Sequence, residues 1–129
     1  MACPLFIPVA PMSGIASEAS TLGELYGGSC SADPTFEIPG EILRGCCNSG
    51  YARTRCERAG QADADAVRFL IKQRNFKGLE IAWSLERDHH PVATGTLYLS
   101  SLGEPQDPVI GSVSVLERQA CAYAKSMLR

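Results

Sequence analysis

AVRFLIKQRNFKGLEIAWSLERDHHPVATGTLYLS, residues 66–100, is the stretch that decides the fold. Val67, Phe69 and Ile71 alternate with Arg68 and Lys72. Leu79, Ile81, Trp83 and Leu85 alternate with Glu80, Ser84 and Glu86. Successive strand side chains point to opposite faces, so this period of two predicts half-buried strands. Asn75-Phe76-Lys77-Gly78 fits a hairpin loop, and Asp88 to Pro91 fits the next turn. Val92 to Ser100 is β-branched and aromatic enough for a third strand. The expectation is a three-stranded antiparallel meander. A helical face of Ala62, Ala66, Phe69, Leu70 and Gln73 competes with its first strand.

Downstream, Gly103 to Pro108 reads as a loop. Ser114-Val115-Leu116-Glu117 matches a capping box, in which serine and glutamate satisfy each other's orphan backbone donors. A helix to about Leu128 should follow. Leu116, Ala120, Tyr123, Ala124 and Met127 share one face of it, and that face should cover the sheet. Upstream, residues 1–60 are rich in Gly, Pro, Ser and Cys and have weak periodicity. Ser17 to Tyr26 suggests a short helix ended by Gly27-Gly28. Glu41 to Gly45 suggests a further helical turn, and the remainder reads as loop. So long an irregular stretch implies something that organises it.

The expected fold class is therefore α+β. One domain, residues 1–129, would comprise cysteine-rich metal-binding loops over 1–60 and a β-meander plus C-terminal amphipathic helix over 61–129. A chain of 129 residues can bury a core without staples. The net charge of −2 gives no general argument for nucleic acid. Its distribution is uneven. Lys and Arg are absent before Arg44, and Arg44, Arg53, Arg55 and Arg58 then appear where the cysteines cluster. The opening MACPLFIPVAPMSG lacks the basic start and unbroken apolar run of a secretory signal. No run approaches the ~20 apolar residues of a membrane span. The expectation is a cytoplasmic protein with reduced thiols, so the cysteines read as ligands or reactive groups.

Those cysteines are Cys3 (before Pro4), Cys30, the adjacent Cys46 and Cys47, and Cys56. Four thiolates can complete a tetrahedral zinc site or hold an iron–sulfur cluster. Structural zinc sites usually use a C-x₂₋₄-C knuckle, and none is present. A [4Fe-4S] cluster has irons at separate corners and can take ligands from separated loops. It is also anionic, and the nearby arginines would offset its charge. The expected ligands are Cys3, Cys30, Cys47 and Cys56, with Cys46 the alternate for Cys47. Gly27, Gly28, Gly45 and Gly50 would let backbone approach sulfur. The competing readings are zinc, disulfides or redox thiols, and inert buried thiols. Cys121, on the edge of the last helix's apolar face, reads as a core thiol.

Glu86-Arg87-Asp88-His89-His90 holds both histidines. Asp88-His89-His90 spells the signature triplet of the DHH phosphoesterases, but those enzymes need further aspartate motifs on a much longer chain. The plainer reading is a solvated turn in which Asp88 bonds its own backbone. A histidine there could also ligate a metal or shuttle protons. Tyr51 beside the arginines could stack a base, although the mildly acidic chain does not favour nucleic acid. Trp83 reads as core. The functional expectation is a small metal-binding protein whose cluster serves electron transfer, redox sensing or support, with an unknown protein or redox partner and no membrane. The alternatives are a zinc-stabilised interaction module and a small Cys/His enzyme.

Overall fold

A computed structural model describes residues 2–12, 25–52, 55–104 and 114–128. The meander forms as strands β3 (Ala66–Asn75), β4 (Gly78–Arg87) and β5 (His90–Leu99), antiparallel in the order β3-β4-β5. Residues 66–73 are strand, not helix. The extended form sets Val67 against Leu85 and Phe69 against Trp83, so four apolar side chains share one face. A helix would give up those cross-strand pairs. β3 also takes a partner on its other edge, since Ala2 and Val67 exchange backbone hydrogen bonds of 3.0 and 2.8 Å.

Both hairpin turns are tight. Only Phe76 and Lys77 separate β3 from β4, and the Asn75 side chain accepts from the Lys77 amide at 2.8 Å. Only Asp88 and His89 separate β4 from β5, with φ of 51° and 64°. Two consecutive left-handed residues match the twist of the flanking strands. Trp83 faces Gly95 across β4 and β5, and a Cβ on Gly95 would lie 2.5 Å from the indole. Glycine there leaves the ring its place against the core.

A second sheet was not foreseen. β1 (Phe6–Pro11) and β2 (Tyr26–Cys30) pair antiparallel, with an irregularity between Pro8 and Ala10. Residues 17–24 of the expected helix lie outside the described residues. Tyr26 opens β2, and Gly27-Gly28 lie inside that strand instead of ending a helix. The reason is close approach: a Cβ on Gly28 would sit 1.9 Å from the Ile7 carbonyl oxygen. Arg53 and residues 105–108 of the expected loop also lie outside the described residues.

The expected turn near Glu41–Gly45 is longer. A short helix α1 (Gly40–Ile42) runs directly into a wide π-type turn, Leu43–Cys47. A 3₁₀ turn follows at Glu57–Gln61. Helix α2 (Val115–Met127) begins where the capping motif lies, and the Ser114 hydroxyl oxygen accepts from the Glu117 amide at 3.2 Å. α2 packs on β1 as well as on β3 and β5, with Phe69 and Tyr123 stacked at 5.8 Å. Its buried residues are Gln119, Ala120, Cys121, Ala122 and Ala124, while Met127 is half exposed. The apolar face thus turns further than spacing suggested. Small side chains let the helix sit close, and Gln119 reaches inward. Among the described residues no helix is long and apolar enough to cross a membrane.

One hydrophobic cluster unites both halves, joining Ala2, Phe6, Tyr26 and Leu43 with Val67, Ile81, Leu99 and Ala120. Fully buried Asn48 ties it together. Its Oδ1 accepts from the Tyr26 amide at 3.0 Å, and its Nδ2 donates to the Tyr26 carbonyl at 3.0 Å and the Leu43 carbonyl at 2.8 Å. Asn48→Ala takes the side-chain partner from the Tyr26 amide and carbonyl, at ~1–3 kcal/mol for each such group and non-additively, while the Leu43 carbonyl keeps the backbone amide of residue 48. Urea denaturation of this variant should show a loss of about 2–4 kcal/mol.

Candidate metal centre

The five expected cysteines come from four segments, and each segment is held by backbone. Cys3 lies between the Ala2–Val67 bridge and β1, and its amide donates to the Cys47 carbonyl at 3.0 Å. Cys30 ends β2, where the Ser31 amide donates to the Leu5 carbonyl at 2.8 Å. Cys46 and Cys47 close the π-type turn, in which the Asn48 amide reaches the Leu43 carbonyl at 2.9 Å. Cys56 is set by its amide bonding to the Ala52 carbonyl at 2.7 Å.

All five cysteines line one narrow pocket, with Leu5, Phe6, Phe36, Ile38, Ile42, Ala52, Arg58 and Ala59 as the other walls. Cys47 belongs to the main core. Cys46 sits in a satellite cluster with Ala52 and Ala59, against which Cys56 packs. The neighbouring side chains therefore diverge while both border the pocket. All six cysteines, including Cys121, are free thiols. Cys121 is buried in the main core, as expected. Among the described residues, no group of three or more His, Cys, Asp or Glu side chains is set to hold a metal ion.

Burial dominates the chemistry of these thiols. It pushes Cys3 up to about 11 against the opposing Leu5 amide, and the Cys30, Cys56 and Cys46 thiols add to the rise. Burial likewise pushes Cys47 up to about 12, helped by Cys3, Cys56, Cys30 and Cys46 in that order. Cys46 is raised by burial, opposed by the Arg55 guanidinium and reinforced by Cys56. Cys46 is the weakest thiol neighbour of both Cys3 and Cys47. Any metal that binds here must displace protons from buried sulfur.

The arginines separate in role. Arg58 lines the pocket, pairs with Asp33 at 3.3 Å and lies over the Phe36 ring at 3.5 Å. It thereby pins the segment after Cys30 against the pocket. Arg55 lies near Cys46 and donates to the Tyr51 carbonyl at 3.2 Å. Arg44 is exposed. The glycines do not serve sulfur as expected. No sulfur is among the nearest atoms to Gly27, Gly28, Gly45 or Gly50, and Gly50 instead lets Ala2 and Ala66 close in. The sequence reading missed Gln119, which is fully buried and donates from Nε2 to the carbonyls of Cys3 and Phe6 at 2.8 and 2.7 Å. A glutamine flanked by the apolar positions of an amphipathic helix was the available signal.

Neither histidine lines the pocket. His89 stacks on Tyr51 with ring centroids 4.4 Å apart, and its amide donates to the Tyr51 hydroxyl at 2.9 Å. Tyr51, offered above as a stacking platform, is thus occupied; its hydroxyl donates to Glu86 at 3.1 Å. The Asp88 amide donates to the Asp65 carboxylate at 2.9 Å, so the turn is tied to a neighbouring segment. Buried Glu86 also pairs with Arg68. The Arg68 hydrogen bond holds the Glu86 carboxyl below the usual range despite burial, with help from Tyr51.

Comparison with known proteins finds no matching family model, no similar curated protein and no similar solved structure.

Two outcomes follow from these environments. Iodoacetamide at mildly alkaline pH should modify partly exposed Cys56 well before Cys3 and Cys47, whose protons are held to about 11 and 12. Peptide mapping over time reads the order directly. Glu86→Gln should lower stability by about 1 kcal/mol at neutral pH, because Arg68 is largely exposed and screened. A depressed carboxyl stabilises above its unfolded value of ~4.3 and loses that contribution as pH falls through its folded value. Denaturation curves for the two proteins should therefore converge in acid.

Proposed function

We propose that this chain holds one [4Fe-4S] cluster on Cys3, Cys30, Cys47 and Cys56 and uses it in electron transfer or redox sensing. The observation that carries the reading is the convergence of five thiols, from four separate segments, on one apolar pocket. Inert core thiols have no reason to share a wall. Ligands arriving from separate loops suit a centre whose irons occupy separate corners, more than a single ion that draws four sulfurs to ~2.3 Å.

Each residue then has a task. Cys3, Cys30 and Cys47 supply buried sulfurs, and Cys56 supplies the sulfur nearest solvent. Leu5, Phe6, Phe36 and Ile38 exclude water, which is one of the factors that set a cluster's potential. Arg58 places a cation at the pocket wall to offset thiolate charge. Gln119 fixes the Cys3 and Phe6 carbonyls and so the direction from which Cys3 enters. A reducing, cytoplasmic setting would keep the thiols available. A redox partner would dock near Cys56, where the path through protein is shortest.

Anaerobic reconstitution with ferrous iron and sulfide tests this. The expected product is brown and carries about four irons and four sulfides per chain. Cys3→Ser, Cys30→Ser, Cys47→Ser and Cys56→Ser should each lose most of the visible absorbance, whereas Cys46→Ser should keep it. Colourless protein with one tightly bound zinc would overturn the proposal.

A further inference from the structure

Five sulfurs border a pocket in which a [4Fe-4S] cluster uses four, so one cysteine is left over. We propose that the spare, Cys46, is a resolving thiol that forms a reversible disulfide with Cys56 when the cluster is absent, which removes a ligand and bars reassembly until the bond is reduced. The bond itself rests on the geometry of the two thiols. Its consequence rests on the cluster reading above.

Cys46 and Cys56 are neighbours by packing. Ala52 and Ala59 form the satellite cluster with Cys46, and Ile42 and Cys56 close it. Backbone bonds hold the described residues beside each cysteine. The Gly50 amide reaches the Cys46 carbonyl at 2.8 Å, and the Cys56 amide reaches Ala52 at 2.7 Å. The other pairings are weaker candidates. Adjacent residues have Cα atoms ~3.8 Å apart, below the 4.4–6.8 Å usual for a disulfide, which disfavours Cys46–Cys47. Cys56 is the partly exposed thiol of the five and the entry point for an oxidant; Cys46, buried like Cys3, Cys30 and Cys47, differs from them in belonging to the cluster against which Cys56 packs.

The chemistry balances with hydrogen peroxide as the named oxidant. The Cys56 sulfur attacks one peroxide oxygen, the O–O bond breaks, and Cys56 becomes a sulfenic acid as one water leaves. The Cys46 sulfur then attacks the Cys56 sulfur. An S–S bond forms, the S–O bond breaks, and the hydroxyl departs as a second water with the Cys46 proton. Two thiols are oxidised and one peroxide is reduced. A dithiol reverses the bond by exchange.

The test uses the full chain, freed of iron and treated with a modest excess of hydrogen peroxide. Tryptic cleavage after Arg44, Arg53, Arg55 and Arg58 puts Cys46 and Cys47 on one peptide and Cys56 on another. A dithiol-sensitive cross-link between these peptides is expected in the wild type and in Cys47→Ser, and its loss is expected in Cys46→Ser. The oxidised wild type should take up less than a tenth of the iron that the reduced protein takes up, with recovery after dithiol treatment. A cross-link that survives Cys46→Ser, or none in any protein, overturns the proposal. So does full iron uptake by the cross-linked form. Failure of the cluster reading looks different: the reduced, untreated protein would then assemble no iron–sulfur chromophore at all.

Discussion

Two buried amides hold together what no regular pairing joins. Asn48 links β2 to the turn that carries Cys46 and Cys47, and Gln119 links α2 to the loop that carries Cys3. Amides suit this work because each can meet carbonyls, and Asn48 meets an amide as well, without bringing a charge into the core. Gln119 does so at a cost, since its Oε1 is buried with no partner among the described residues. An unmet acceptor of that kind costs about 1–3 kcal/mol. Placing the Cys3 and Phe6 carbonyls outweighs it.

The rest of the N-terminal half follows from that anchoring. Ala2 adds to the edge of β3, Gly50 lets the Ala66 side chain and the Ala2 backbone close in, and Phe6 is fully buried in the main core. Few of these residues lie in long strands or helices. Their positions are nonetheless fixed by backbone hydrogen bonds, and those bonds aim four cysteine-bearing segments at one pocket. Burial holds the Cys3 and Cys47 thiols in their protonated form at neutral pH.

The meander and α2 were legible because they depend on local signals. Alternation between Val67 and Leu85 and the Ser114–Glu117 cap need only a few residues each. The β1–β2 sheet was not legible. FIPVAP and YGGSC show no alternation, and their pairing depends on glycine at 28 meeting a carbonyl twenty-one residues earlier. The cysteine grouping was legible from the number of cysteines in one loop-rich stretch. The expected role of the glycines failed, because spacing cannot say whether a glycine faces sulfur or another backbone. Asn48 and Gln119 act across 22 and 116 residues of chain, beyond any local pattern.

The grip of Gln119 on Cys3 also bears on how the protein is made. All five pocket cysteines precede β3 and α2 in the chain, so the ribosome delivers them before either element. The side chain that secures Cys3 belongs to residue 119, and the β3 backbone that pairs Ala2 belongs to residue 67. The thiols therefore emerge before the elements that secure them, and the pocket takes its final form only once α2 has been made. Until α2 docks, the Cys3 and Phe6 carbonyls lack the side chain that holds them in place.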